Sequence, residues 1–265
     1  MKADRKVDFL IAGVQKGGTS ALFEYLRTVP GLQLPDVKEA HFFDDEERVD
    51  WRGPDYSAYH RLFDDDGRRW GEATPIYIYW PNSLERIAAY NPAMKFILLF
   101  RDPVERAWSH WKMEYAKRKE SHDFQWCIRE GRERVATGDP AAPGHHRVFS
   151  YVERGLYGRQ VERLLSLFPR SQCLFLRSED LRDRPADAVA EICAFLDQDQ
   201  PRRISPMIVH RARDVAYPSS LTSADKRLLN DVYASDMSRF SDLTGIDTKR
   251  WSETGSREAR AEGAQ

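Results

Sequence analysis

The segment Asp8–Ser20, DFLIAGVQKGGTS, constrains the fold more than any other stretch of the chain. Val7 to Gly13 is a short apolar, β-prone run that ends in glycine. Beyond it Leu22, Tyr25, Leu26 and Val29 recur at helical spacing, and Thr19 or Ser20 is placed to cap that helix. A strand that turns through glycines into a helix exposes backbone N–H groups at the positive helix end, where phosphate oxygens bind. Gly13, Gly17 and Gly18 supply the turn, Lys16 the charge, and Thr19 and Ser20 the hydroxyls. By themselves these residues also describe a glycine-rich βα turn that holds nothing. The P-loop pattern GxxxxGK[ST] is altered: Thr19 stands where the lysine belongs, and the lysine has moved to position 16. A kinase or ATPase needs that lysine at the β/γ-phosphates and an acidic strand end for magnesium. The two later strands end in Arg101 and Arg177, and no acidic strand end is read from the sequence. The altered loop better suits a nucleotide with one 5′-phosphate bearing a transferable group.

The second apolar run, Met94–Phe100, is continuous rather than alternating, as in a parallel strand buried on both faces. It ends at Arg101-Asp102-Pro103, with Pro at the first helical position, and the helix that follows carries Trp108, Trp111 and Tyr115 at core spacing. Tyr151–Phe168 reads as an amphipathic helix stopped by Pro169, Gln172–Arg177 as a third buried strand, and Pro185–Leu196 as another helix. Alternating strands and helices predict an α/β fold: a single P-loop-like domain over residues 1–251, with a central parallel sheet of about four or five strands and helices on both faces. The polar stretch 252–265 has no core-forming pattern and is expected to be a flexible tail.

A formal net charge of −1 over 265 residues gives no global field for nucleic acid or an anionic membrane. Cys127, Cys173 and Cys193 lie far apart without metal-ligand spacing, so buried free thiols are expected and no metal site. His145-His146 has no partner ligands in view, and Asp64-Asp65-Asp66-Gly67 lacks the rest of a calcium loop and reads as a solvated turn. No apolar stretch is long enough for a signal peptide or a bilayer span, which sets cytoplasmic as the expected location.

Arg101 sits at the carboxyl end of a buried strand, where α/β sheets bind ligands, and Ser109 follows eight residues later, about two helical turns along. Taken singly, Arg101 is equally a salt-bridged structural arginine. In Lys38–Asp44, KEAHFFD, Glu39 and His41 are possible bases, although composition alone makes Glu39 a surface carboxylate beside Lys38. With GVQKGGTSAL, KEAHFFD, GEATPIYIY, LLFRDPVERAWSHW, RGLYGRQVERLLSLFP and LFLRSEDLRDRP in order, the chain resembles sulfotransferases that use 3′-phosphoadenosine-5′-phosphosulfate (PAPS), in particular the heparan-sulfate type and its bacterial relatives. The resemblance implies that Lys16, Gly17, Gly18, Thr19 and Ser20 hold the 5′-phosphosulfate, and that Arg101 and Ser109 hold the 3′-phosphate. It implies that Glu39 is the general base, with His41 and Asp44 orienting it or the substrate, and that Lys16 stabilises the leaving phosphate. The product would be adenosine 3′,5′-bisphosphate.

The resemblance also places Tyr157 near the cofactor, although its spacing equally fits a core aromatic. Arg211 and Arg213 are the nearest counterparts of the family's basic cofactor loop. The animal heparan-sulfate enzymes carry a lysine after the glutamate of GEATP; here that position is Ala73, with Lys38 the candidate replacement and Glu72 and Thr74 expected to shape the pocket. The implied acceptor is a glycan, a lipid-linked group or a small molecule, met by variable loops near residues 36–72 and 120–150. A P-loop kinase or nucleotide hydrolase, and a nucleotide-binding protein without chemistry, are the alternatives.

Overall fold

The computed structural model describes residues 5–138, 145–201, 203–204, 215–249 and 251, with His145 by its backbone alone. In chain order the first elements are β1 (Phe9–Gly13), α1 (Thr19–Arg27), β2 (Leu32–Gln33), α2 (Ser57–His60), β3 (Arg69–Ala73), α3 (Ser83–Tyr90) and β4 (Lys95–Phe100). Then come α4 (Pro103–Ala116), α5 (Phe124–Cys127), α6 (Glu133–Ala136), α7 (His145–Val148) and α8 (Tyr157–Leu167). The last are β5 (Cys173–Arg177), α9 (Ser178–Asp183), α10 (Pro185–Phe195) and α11 (Ser223–Thr244). The chain divides into two compact units, Met1–Arg101 with Arg163–Arg211, and Asp102–Glu162 with Ala212–Gln265.

The first unit holds the whole sheet, five strands in the order β2-β3-β1-β4-β5, and every pairing is parallel. This is the α/β class that the alternating pattern predicts. One sheet face packs on α1, α9 and α10: Ile11, Ile97, Leu99 and Leu176 meet Leu22, Leu26, Leu181, Val189 and Ile192 in one buried cluster. Each such Leu or Ile contributes about 1.5–3 kcal/mol by leaving water. On the opposite face the Phe96 ring meets Phe168, centroids 4.6 Å apart.

In the second unit α4 begins as its sequence dictates. The Asp102 carboxylate accepts from the N–H groups of Val104 and Glu105, and Pro103 occupies the first turn. Trp108, Trp111 and Tyr115 belong to this unit's core, with Trp108 and Trp111 stacked at 4.9 Å. The predicted helix over 151–168 is shorter than expected. Glu153–Gly155 form a 3₁₀ turn and α8 starts at Tyr157, because the Asp236 carboxylate accepts from the N–H groups of Gly158 and Arg159 at 2.6 and 3.0 Å. All three cysteines are free and buried, and burial pushes the Cys173 thiol up to about 12. No helix among the described residues is long and apolar enough to cross a membrane.

Candidate active site

Three adjacent parallel strands, β3, β1 and β4, bring the candidate residues to one end of the sheet. Leu10 is in register with Glu72 and Ile11 with Ala73, while Ile97 flanks Ile11 on the other side. The carboxyl end of β1 therefore opens into the Lys16–Ser20 loop, that of β4 leads to Arg101, and that of β3 reaches Thr74. The carboxyl ends of the strands are where α/β folds bind ligands.

The turn from β1 into α1 is tightly constrained. Gly17 is obligatory by space, since a Cβ there would lie 2.2 Å from the Leu99 carbonyl oxygen. Gly18 has φ +96, and Lys16 takes a left-handed φ of 70, unusual for a residue with a side chain. Gly18 is the N-cap of α1, so Thr19 and Ser20 lie inside the helix and neither caps it, in contrast to the Asp102 cap of α4; the Ala21 and Leu22 N–H groups turn back to the Gly18 carbonyl. The Ser178 hydroxyl, at the start of α9, donates to the Gly17 carbonyl and fixes the loop from behind. Thr19 is buried, whereas Lys16 and Ser20 are half-buried.

Glu39, His41 and Asp44 form a chain of charges. Lys38 Nζ lies 2.5 Å from Glu39 Oε1, His41 Nε2 lies 3.4 Å from Glu39 Oε2, and His41 Nδ1 lies 2.8 Å from Asp44 Oδ2. Burial alone would raise the Glu39 carboxyl, but the hydrogen bond from His41 and the Lys38 ammonium outweigh it and hold it at about 2. Burial would lower His41, yet its bonds to Asp44 and Glu39 push it up to about 9. At neutral pH Glu39 is thus an anion and His41 a cation that donates to both carboxylates. Glu39 and His41 have φ of 65 and 51, so this loop holds non-glycine residues in left-handed backbone. Glu39 is about one-third exposed and Asp44 fully buried, so the chain runs from solvent inward.

β3 corrects the sequence reading in one respect. The segment RWGEA is a central strand beside β1, and its end is acidic. Its polar residues concealed it: Gly71 lies against the Phe9 ring, and Glu72 is a carboxylate inside the sheet. Glu72 is fully buried, Thr74 Oγ1 donates to its Oε2 at 2.8 Å, and burial pushes it up to about 7. Ala73, where the heparan-sulfate type carries lysine, is also fully buried. Its carbonyl accepts from the Glu39 N–H at 3.0 Å.

Two further candidates lie in the second unit. Ser109 is half-buried on α4, and Tyr157 is fully buried between the rings of Phe240 and Trp251. Arg211 and Arg213 lie outside the described residues. Within the segments expected to meet the acceptor, the Tyr59 and Phe124 rings are core. Trp51 is half-buried with its Nε1 bonded to the Asp45 carbonyl, and Trp126 stacks on His122 at 3.9 Å.

This arrangement coincides with a known class. The model of the sulfotransferase domain matches residues 6–215, and the chain belongs to the sulfotransferase family. It is 35% identical over 190 residues to human heparan sulfate glucosamine 3-O-sulfotransferase 6, covering 71% of this chain and 51% of that protein. It is 31% identical over 191 residues to human heparan sulfate glucosamine 3-O-sulfotransferase 3B1, covering 71% and 45%. The chain thus spans about half the length of the curated relatives it matches. The crystal structure of a sulfotransferase from Alicyclobacillus acidocaldarius superposes with a TM-score of 0.77 at 28% identity, covering 93% of this chain and 99% of that one.

Proposed function

We propose that this chain transfers a sulfuryl group from PAPS to a hydroxyl or amine of a glycan, lipid-linked or small-molecule acceptor, with Glu39 as general base. The observation that carries this reading is the Lys38–Glu39–His41–Asp44 chain, which keeps a partly exposed carboxylate ionised beside the carboxyl end of β3. The loop residues fit a phosphate-bearing nucleotide: an uncapped helix start, a glycine too tightly packed to bear a side chain, and a lysine within the turn. Lys16, Gly17, Gly18, Thr19 and Ser20 would hold the 5′ end, with Arg101 on the neighbouring strand end as a further anion ligand. When bound, the nucleotide supplies the sulfuryl group and a phosphate leaving group.

The protein's part is to orient and neutralise. Lys16 places a compact positive charge where the leaving oxygen gains its charge. Glu39 accepts the proton of the acceptor oxygen or nitrogen. Its own basicity is low, so that proton moves late, once bonding has made the acceptor acidic. His41 and Asp44 hold the carboxylate's direction. Lys38, beside Glu39, supplies a cation where Ala73 provides none.

The acidic end of β3 favours a kinase only weakly, because Glu72 is sealed from solvent and the P-loop lysine is displaced. Calorimetry with adenosine 3′,5′-bisphosphate and with ATP–magnesium separates the readings, followed by transfer from labelled PAPS to heparan oligosaccharides and a panel of phenols, alcohols and amines. Tight bisphosphate binding with labelled product is expected. ATP hydrolysis that depends on magnesium, without sulfuryl transfer, would overturn the reading.

A further inference from the structure

The loop that carries Glu39 is pinned by the end of β3 at successive backbone positions. The N–H of Glu39 donates to the Ala73 carbonyl at 3.0 Å, and that of His41 to Thr74 Oγ1 at 3.4 Å. The N–H groups of Phe42 and Phe43 donate to the Tyr77 hydroxyl at 3.0 and 3.4 Å. Thr74 and Tyr77 thus spend oxygen lone pairs on the loop, and their own protons need an acceptor elsewhere. That acceptor is Glu72: Thr74 Oγ1 donates to its Oε2 at 2.8 Å, and the Tyr77 hydroxyl also bonds to it. Tyr59, from α2, adds a longer contact of 3.5 Å to Oε1. Glu72, Thr74 and Tyr77 are all fully buried, so no water competes for these bonds.

We propose that Glu72 is a positioning residue: by taking the protons of Thr74 and Tyr77 it turns their lone pairs toward the Glu39–Phe43 backbone and fixes the direction of the Glu39 carboxylate. The catalytic meaning of this anchor rests on the reading of Glu39 as the base. The anchor itself does not, because it consists of bonds within the protein. Left-handed backbone at Glu39 and His41 is costly for residues with side chains, and the bonds from β3 are what oppose its relaxation. The titratable groups facing Glu72 are Asp44 and His41 on the loop, Tyr59 on α2 and Tyr77 after β3.

Thr74→Val tests this without changing any charge. It removes the hydroxyl that links Glu72 to the His41 N–H, and Thr74→Ser restores that hydroxyl. NMR titration of the His41 imidazole reads the loop directly, since its raised pKa depends on distances to Asp44 and Glu39. Thr74→Val is expected to lower that pKa by about one unit or more, and Thr74→Ser to leave it within about 0.3 unit. With a heparan oligosaccharide and labelled PAPS, Thr74→Val and Glu72→Gln are expected to lose about ten- to hundredfold in kcat, while the Kd for adenosine 3′,5′-bisphosphate stays within about twofold. A His41 titration unchanged in Thr74→Val overturns the anchor, whatever happens to transfer. Tyr77→Phe probes the other hydroxyl if Thr74→Val fails to fold. Full turnover in Glu39→Gln would instead overturn the base assignment, and the imidazole titration would still report on the anchor.

Discussion

The loop at Glu39–Asp44 and the strand end at Glu72–Tyr77 each present a glutamate, and they treat it in opposite ways. Glu39 is about one-third exposed, flanked by Lys38 and His41, and held ionised at about 2. Glu72 is fully buried, surrounded by hydroxyls, and pushed up to about 7. Same side chain, different surroundings: in the proposed reading one carboxylate meets a substrate and the other holds the first in place. Charge neighbours decide Glu39, and desolvation decides Glu72.

Removing the groups around each carboxylate tests how its surroundings set its role. The largest effect after loss of Glu39 itself is expected for Lys16→Ala, which takes the positive charge from the turn. Single-turnover transfer should fall by about a hundredfold or more, and bisphosphate affinity should weaken as well. Unchanged transfer would detach Lys16 from the site.

Glu72→Gln sharpens the contrast through stability. Because its folded pKa of about 7 lies above the ordinary 4.5, the protonated form favours the fold. That contribution is complete below pH 4.5 and is lost as pH rises through 7. Denaturant melts should show wild type losing about 3 kcal/mol relative to Glu72→Gln between pH 4 and pH 8. Parallel curves would mean that Glu72 is not sealed from solvent.

A smaller change is expected for His41→Ala. Without the imidazolium, the Glu39 carboxyl moves up from about 2 toward its ordinary value. The acid limb of the kcat/KM profile should therefore shift to higher pH by about one unit. The smallest effect belongs to a control in the second unit, Thr222→Ala. It removes the capping box of α11 and should cost about 1 kcal/mol in a thermal melt, with transfer per folded molecule intact.

The parts of this fold that were legible in the sequence are those decided locally. The run Val7–Gly13, the glycines after it and the largely apolar stretch Met94–Phe100 announce β1, its loop and β4, because a strand buried on both faces is filled mainly by apolar side chains. Asp102-Pro103 announces the start of α4 through its own cap. β3 is different, since Gly71 and Glu72 suit a strand only because the Phe9 ring and the hydroxyls of Thr74 and Tyr77 await them. β2, two residues long, has too little pattern to read. The start of α8 depends on Asp236, 78 positions away from Gly158. α11 had a usable signal, Thr222 followed three residues later by Asp225 and closed by Gly245 in left-handed backbone.

In the site, Glu39 and His41 were named by resemblance, and their pairing through His41 to Asp44 is what the fold adds. The support from Glu72 was not legible as such, because it runs through backbone N–H groups that any sequence would possess.

In the proposed reading Glu39 takes the acceptor proton. The most direct measurement replaces Glu39 by Gln, which keeps size and removes the charge, and determines bisphosphate affinity by calorimetry alongside single-turnover sulfuryl transfer from labelled PAPS. A Kd within about twofold of wild type and transfer slower by about a hundredfold or more are expected. Transfer at the wild-type rate with intact binding would contradict that reading.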